Sequence, residues 1–217
     1  MVAVVPLRDG RSGKSRLSRS LAPDERAELV TVLARHVVGT LVGSGEVERV
    51  LVVTADVAFA SSAVSGLGPR VEVVGQPPAR LGLNSAIELG REIACAAIAT
   101  SVLLVVHADL PALSPADVAA LLVPSAAVVL APDRFGAGTN ALVLRPAASP
   151  FTFRFGRGSL AAHVAEAVGR GIEPALVARP GTAIDLDTPA DWAELPRDVR
   201  ERVLGAVPAM SSLAVRH

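Results

Sequence analysis

Three aspartates and one lysine are the residues of this chain best suited to chemistry. Asp109 follows the apolar run Val102–Val106 and precedes Leu110-Pro111, while Asp185 and Asp187 stand one residue apart in Ala183–Asp187 (AIDLD). Side chains two apart on an extended segment point the same way, so that pair can converge on one cation. Lys14 is the only lysine; every other basic residue among the 21 is arginine. It sits in Pro6–Ser20 (PLRDGRSGKSRLSRS), a Gly/Ser-rich loop where a compact, flexible point charge suits phosphate. Gly13-Lys14-Ser15 matches the end of a Walker A motif, but Arg8 stands where its first glycine belongs, which excludes a P-loop. Magnesium reaches phosphates through one or two carboxylates plus water, and a metal pair clamps attacking and leaving oxygens. These residue types favour nucleotidyl transfer. No histidine base is needed if the acceptor is a phosphate monoester, whose second pKa of about 6 leaves it largely dianionic at neutral pH. Read singly, Asp109 also suits a turn and the Lys14 loop a solvated basic stretch.

The elements that must position these groups read as an α/β alternation. Unbroken aliphatic runs at Val2–Val5, Val50–Thr54 and Val102–Val106 predict strands covered on both faces, and Val71–Gly75 is a further strand. Asp109 then lies past a strand's carboxyl end, where ligands bind in open α/β sheets. Helices are expected from Pro23–Leu41, with Leu29, Leu33, Val37 and Leu41 on one face, and from Val57–Leu67 and Leu83–Thr100. Ser114–Asp117 and Thr188–Asp191 are capping boxes that open two more. Asn84 and Ser85 suit either a helix cap or a ligand contact. Ala126–Ala131 and Asn140–Arg145 predict strands around the glycine-bearing turn Pro132–Thr139, and Pro174–Ala178 is a candidate strand. Phe151–Ser159 (FTFRFGRGS) runs into a helix over Leu160–Val168, so Gly156–Ser159, beside Arg154 and Arg157, offers an anion site. His36 and His163 are expected to pack or face water, and the tail from Asp198 to form a helix with a frayed end.

Composition narrows the classes. Hydrophobic residues make up 51% and charged residues 19%, enough for a sizeable core and too apolar for disorder. With 21 basic against 21 acidic residues there is no surplus for nucleic acid or an anionic membrane. The longest apolar tract, Ile93–Val106, is too short and too interrupted to span a bilayer. The single Cys95 permits no internal disulfide, its Ala/Ile-rich setting predicts a buried small hydrophobe, and the chain is expected to be cytoplasmic. No linker divides the 217 residues, so one domain is expected, with a motif-bearing core over about 2–195 and a C-terminal helix and tail over 196–217.

VAVVPLRDGRSGKSRLS, GLNSAI, VVHADLPAL, APDRFGAGTNAL, RFGRGS and IDLDTPADW, in this order and spacing, resemble the guanylyltransferase family that makes the activated phospho-acid of coenzyme F-420 biosynthesis. The resemblance spans Val2 to about Trp192. It implies a three-layer α/β nucleotidyltransferase fold, nucleotide-diphospho-sugar transferase-like, with a mixed, mostly parallel central sheet. It also implies transfer of GMP from GTP to phosphoenolpyruvate, or to 2-phospho-L-lactate, releasing pyrophosphate. Position by position, it makes Asp109, Asp185 and Asp187 the magnesium ligands, and Thr139, Gly156 and Ser159 the contacts to the phospho-acid. Lys14 and Arg16 fall near the triphosphate, Asn84 near the nucleoside, and Arg8 where relatives often carry lysine. His107 stands at a variable place and receives no role.

The same transfer onto 3-phosphoglycerate, a nucleotide-sugar glycosyltransferase using Asp-x-Asp, and a catalytically silent nucleotide-binding protein are the alternatives. The preferred acid, the guanine contacts, the number of metals and the assembly, monomer or homodimer, stay open.

Overall fold

A computed structural model of the chain describes residues 1–8, 14–97, 102–146 and 150–214. Part of the Lys14 loop including Gly13, the end of the helix expected to reach Thr100, and the last three residues of the tail lie outside the described residues.

Seven strands form one sheet: β1 (Val2–Leu7), β2 (Arg49–Thr54), β3 (Val71–Gly75), β4 (Leu103–Val106), β5 (Val128–Pro132), β6 (Thr139–Leu144) and β7 (Ala175–Leu176), in the order β3-β2-β1-β4-β6-β5-β7. All neighbours run parallel except β6, antiparallel to both β4 and β5, so the sheet is mixed and mostly parallel as expected. The aliphatic runs are continuous because both faces are covered. Along β1, Ala3, Val5 and Leu7 enter one core cluster while Val2 and Val4 enter the other.

Helix α1 (Pro23–Gly43), with α2 (Val57–Ala63) and α4 (Pro115–Leu122), covers the first face. Helix α3 (Leu83–Ala97), the Phe151–Phe155 stretch and α5 (Ser159–Gly169) cover the second, giving three layers. Helix α3 lies directly on β1 because Gly90 has no side chain: a Cβ there would stand 2.6 Å from Val4 Cγ1.

A third cluster joins the C-terminal helices to the start of the chain. Helices α6 (Pro180–Ala183), α7 (Pro189–Glu194), α8 (Arg197–Ala206) and α9 (Ser211–Ala214) follow β7. Trp192, Val199, Val203, Val207, Met210 and Leu213 bury against Leu17, Leu21, Leu29, Leu33 and Leu186. The apolar face of α1 therefore divides: Leu29 and Leu33 serve this cluster, Val37 and Leu41 the sheet. The helix expected from Asp198 is present as α8, and short helical turns carry the chain on to residue 214 with Val207, Met210 and Leu213 buried.

Cys95 is a correction. It is exposed, because Ala94 occupies the buried face of α3 and the next residue on a helix turns away from it. No helix among the described residues is long and apolar enough to cross a membrane.

Candidate active site

The carboxyl ends of β1 and β4 meet where the order of strands reverses, since β2 lies on one side of β1 and β4 on the other. Lys14 follows β1 and Asp109 follows β4. Lys14 Nζ lies 2.5 Å from Asp109 Oδ2 and 2.7 Å from Asp187 Oδ1, so the two carboxylates are no farther apart than those bonds allow. The ammonium is almost wholly enclosed, with 6% of the side chain exposed. Burial pulls its pKa down, but Asp109 and Asp187 outweigh that and hold it above the usual lysine value. Asp109 mirrors this: burial pushes it up, while Lys14, with help from His107, holds it below the ordinary carboxylate value. Lys14 is also the one non-glycine in the left-handed region among the described residues, at φ 53°.

Two anchors place that lysine and the late aspartates. Leu17, at the end of the short 3-10 turn Ser15–Leu17, and Leu186, between the aspartates, are both fully buried in the C-terminal cluster. Leu186 N–H donates to the Asp109 carbonyl at 3.0 Å, and Asp187 N–H to the Asp185 carbonyl at 3.1 Å. The Asp-x-Asp segment is thus a tight turn pinned to Asp109 instead of the extended run expected. Asp185 nonetheless belongs to the cluster. Burial, then the charges of Asp109 and Asp187, raise its pKa, and Asn140 Nδ2 lies 3.4 Å from its Oδ1.

Among the described residues no group of three or more His, Cys, Asp or Glu side chains is arranged to hold a metal ion unaided. The Lys14 ammonium fills the space between two of the carboxylates. Two observations nevertheless fit a cation: among the described residues Asp109 Oδ1 is buried without a side-chain or backbone donor, and Asp185 feels the negative charges of Asp109 and Asp187.

The turn before β6 brings in the other half of the site. Asp133 collects three backbone N–H groups, Phe135 and Ala137 on Oδ1 at 3.1 and 2.9 Å and Gly138 on Oδ2 at 2.8 Å. Thr139 N–H then donates to Ser159 Oγ at 2.9 Å, and Leu160 N–H to the Ala137 carbonyl at 3.1 Å, seating the start of α5 on this turn. Gly156 and Gly158 turn the chain at φ 134° and 71°, a conformation suited to glycine. Thr139, Gly156 and Ser159 therefore come together. On its other side the turn is clamped by Arg134, whose Nη2 donates to Asp191 Oδ1 at 2.7 Å. Asp191 Oδ2 accepts from Asp187 N, Thr188 N and Thr188 Oγ1, fixing the Asp-x-Asp turn.

Asn84 neither caps α3, which starts at Leu83, nor is free. Its amide spans Phe155, donating to the carbonyl at 3.1 Å and accepting from N–H at 2.8 Å. Arg8 and Arg16 are exposed and without ion-pair partners among the described residues. Sequence reasoning missed Asp133, Arg134 and His163. His163 lies 3.0 Å from Thr139 Oγ1, and its spacing of four from Ser159, one helical turn, was the available signal.

The family model described as "Guanylyl transferase CofC like" matches residues 1–197. A phosphoenolpyruvate guanylyltransferase of Rubrobacter xylanophilus is 42% identical over 198 residues, 89% of this chain and 92% of that protein. A 3-phospho-D-glycerate guanylyltransferase of Phenylobacterium zucineum is 36% identical, over 90% and 89% of the two chains. A 2-phospho-L-lactate guanylyltransferase of Methanothermobacter thermautotrophicus is 35% identical, over 89% and 82%. Among solved structures, the fold matches a chain from Desulfovibrio desulfuricans G20 described as a nucleotide-diphospho-sugar transferase, at TM-score 0.72 and 15% identity, over 98% and 93%. It also matches the inositol-1-phosphate CTP transferase of T. maritima at TM-score 0.57 and 15% identity, over 99% and 96%.

Proposed function

We infer that this chain, which belongs to the CofC-like guanylyl transferase family, transfers GMP from GTP to phosphoenolpyruvate, giving enolpyruvyl-diphospho-guanosine and pyrophosphate. The observation that carries this reading is the meeting of Lys14, Asp109 and Asp187 at the strand-order reversal, next to the Thr139–Ser159 turn. An oxygen of the acceptor phosphate attacks the α-phosphorus of GTP, and the bond to the departing pyrophosphate breaks on the opposite side. Lys14, with Arg16, neutralises the charge that builds on that leaving group. Thr139, Gly156 and Ser159 bind the phospho-acid. Arg8 serves the nucleotide, and Asn84, which holds Phe155 in place, borders the nucleoside.

Asp109, Asp185 and Asp187 would hold magnesium, which when bound supplies positive charge against the phosphates. The product is the activated acid required in coenzyme F-420 biosynthesis.

Phosphoenolpyruvate is favoured because relatives named for it reach 42% and 40% identity, above the 36% and 35% of relatives named for 3-phospho-D-glycerate and 2-phospho-L-lactate. The test is a competition: the three acids together with GTP and magnesium, products separated by mass. Enolpyruvyl-diphospho-guanosine should dominate; a lactyl or glyceryl product in excess reassigns the acceptor.

A further inference from the structure

The polarity of the hydrogen bonds around His163 is set by a group that can act in only one way. Arg154 backbone N–H lies 2.9 Å from His163 Nε2, and a peptide N–H only donates, so Nε2 carries no proton. The ring proton is therefore on Nδ1, 3.0 Å from Thr139 Oγ1, and the hydroxyl oxygen accepts it. Ser159 Oγ is likewise an acceptor, from Thr139 N–H at 2.9 Å. Each hydroxyl then has its own proton left to give. Among the described residues neither donates it to a protein acceptor. Two buried hydroxyl protons without acceptors among the described residues are costly unless a ligand oxygen or water accepts them, and a charged oxygen is the strongest such acceptor.

The ring is held in this orientation by its neighbours. Phe155 packs edge-on at 4.6 Å between centroids and Phe151 lies at 6.0 Å, with His163 itself fully buried. A doubly protonated ring would set Nε2–H against the Arg154 N–H. Burial, then His107 and Arg154, lower the histidine pKa to about 4, which agrees with a neutral ring.

Resting on the reading that this site takes a phospho-acid, we propose that His163 is a positioning residue for that acid. It holds the Thr139 hydroxyl as a donor towards an anionic oxygen of the acid, with the Ser159 hydroxyl as a second donor beside it. His163→Phe keeps the ring packing and removes the donor. Its KM for phosphoenolpyruvate should rise on the order of tenfold, because the Thr139 hydroxyl is no longer held as a donor to the charged oxygen, while the KM for GTP stays unchanged. His163→Asn, which restores a donor near Nδ1, should recover part of the loss. In a Thr139→Val background, His163→Phe should cost nothing further.

Equal losses in both backgrounds, or a fall in kcat with both KM values unmoved, overturn the proposal. A readout on the unaltered protein covers the case in which the variants fail to fold. Nitrogen NMR of the imidazole at neutral pH should show the Nδ1–H tautomer, with a resonance that shifts on adding phosphoenolpyruvate. An Nε2–H tautomer, or a resonance indifferent to the acid, overturns it. Absence of turnover with any phospho-acid in the unaltered enzyme defeats the functional reading instead.

Discussion

Leu17 and Leu186 lie in one buried cluster, and each is the apolar neighbour of a charged group of the site. Leu17 comes three residues after Lys14, and Leu186 separates Asp185 from Asp187. The C-terminal helices complete that cluster, so burying their apolar side chains also fixes the ammonium against the carboxylates. Folding energy from the last part of the chain is in this way coupled to charge placement in its first part.

Lys14→Met removes the cation that pairs with both Asp109 and Asp187. Turnover should fall by about 10²–10³-fold, the usual cost of losing one group that stabilises developing charge. Thermal stability should also fall, because the carboxylates then face one another unscreened. Magnesium should raise the melting temperature of the variant more than that of the parent, since a bound cation stabilises the folded state by mass action. Thermal melts with and without magnesium decide this; equal shifts in both proteins contradict it.

Asp191 serves both the cap of α7 and the Arg134 clamp. Asp191→Ala should therefore cost more than Thr188→Ala, whose loss is that of a cap alone, about 1 kcal/mol. Turnover should fall in step, because Asp191 also accepts from Asp187 N–H at 3.1 Å. Urea denaturation and kcat measured side by side are the check; equal costs for the two variants would remove the clamp from the account.

Gly181 has no room for a side chain, as a Cβ would fall 2.0 Å from Asp117 Oδ2, the carboxylate that also pairs with Arg179. Gly181→Ala should destabilise by about 1–3 kcal/mol through overpacking. Gly43→Ala, at the end of α1 with nothing within 4 Å of the new methyl, is the neutral control. Chemical denaturation of the pair measures the difference.

Acid should weaken the fold partly through His163. Its pKa is lowered from 6.5 to about 4 by burial and then by His107 and Arg154, so between these values the unfolded chain binds the proton the folded one refuses. Stability therefore rises with pH across that window, and is lost as pH falls from 6.5 towards about 4. His36, lowered by burial and by Arg202, contributes with the same sign. The stability difference between the parent and His163→Phe should narrow on acidification; a constant difference would show that His163 does not titrate in this way.

The strands were legible because a sheet covered on both faces demands unbroken aliphatic runs, as β1, β2 and β4 show. The two capping boxes, Ser114–Asp117 and Thr188–Asp191, formed as their spacing required. What stayed hidden depended on contacts between distant segments. Nothing local in AIDLD marks the carbonyl of Asp109 as partner to Leu186, and nothing local in GLNSAI marks Phe155 as partner to Asn84. How deeply the tail packs was hidden for a related reason: its mostly polar helix α8 offers Val199 and Val203, with Leu204 partly buried beside them, to a cluster whose other members include Leu29 and Leu33 of α1 and Leu17. Cys95 was misplaced because its neighbours in sequence are apolar, whereas burial on a helix follows the face.

The central claim is that the charge cluster of Lys14, Asp109 and Asp187 is where GMP changes hands. Phosphorus NMR of the enzyme with GTP, magnesium and phosphoenolpyruvate tests this most directly. The account predicts a new diphosphate ester between nucleoside and acid, pyrophosphate in equal amount, and neither signal with an equally folded Asp187→Asn enzyme. No diphosphate ester with any of the three acids, or its undiminished formation by Asp187→Asn, would contradict it.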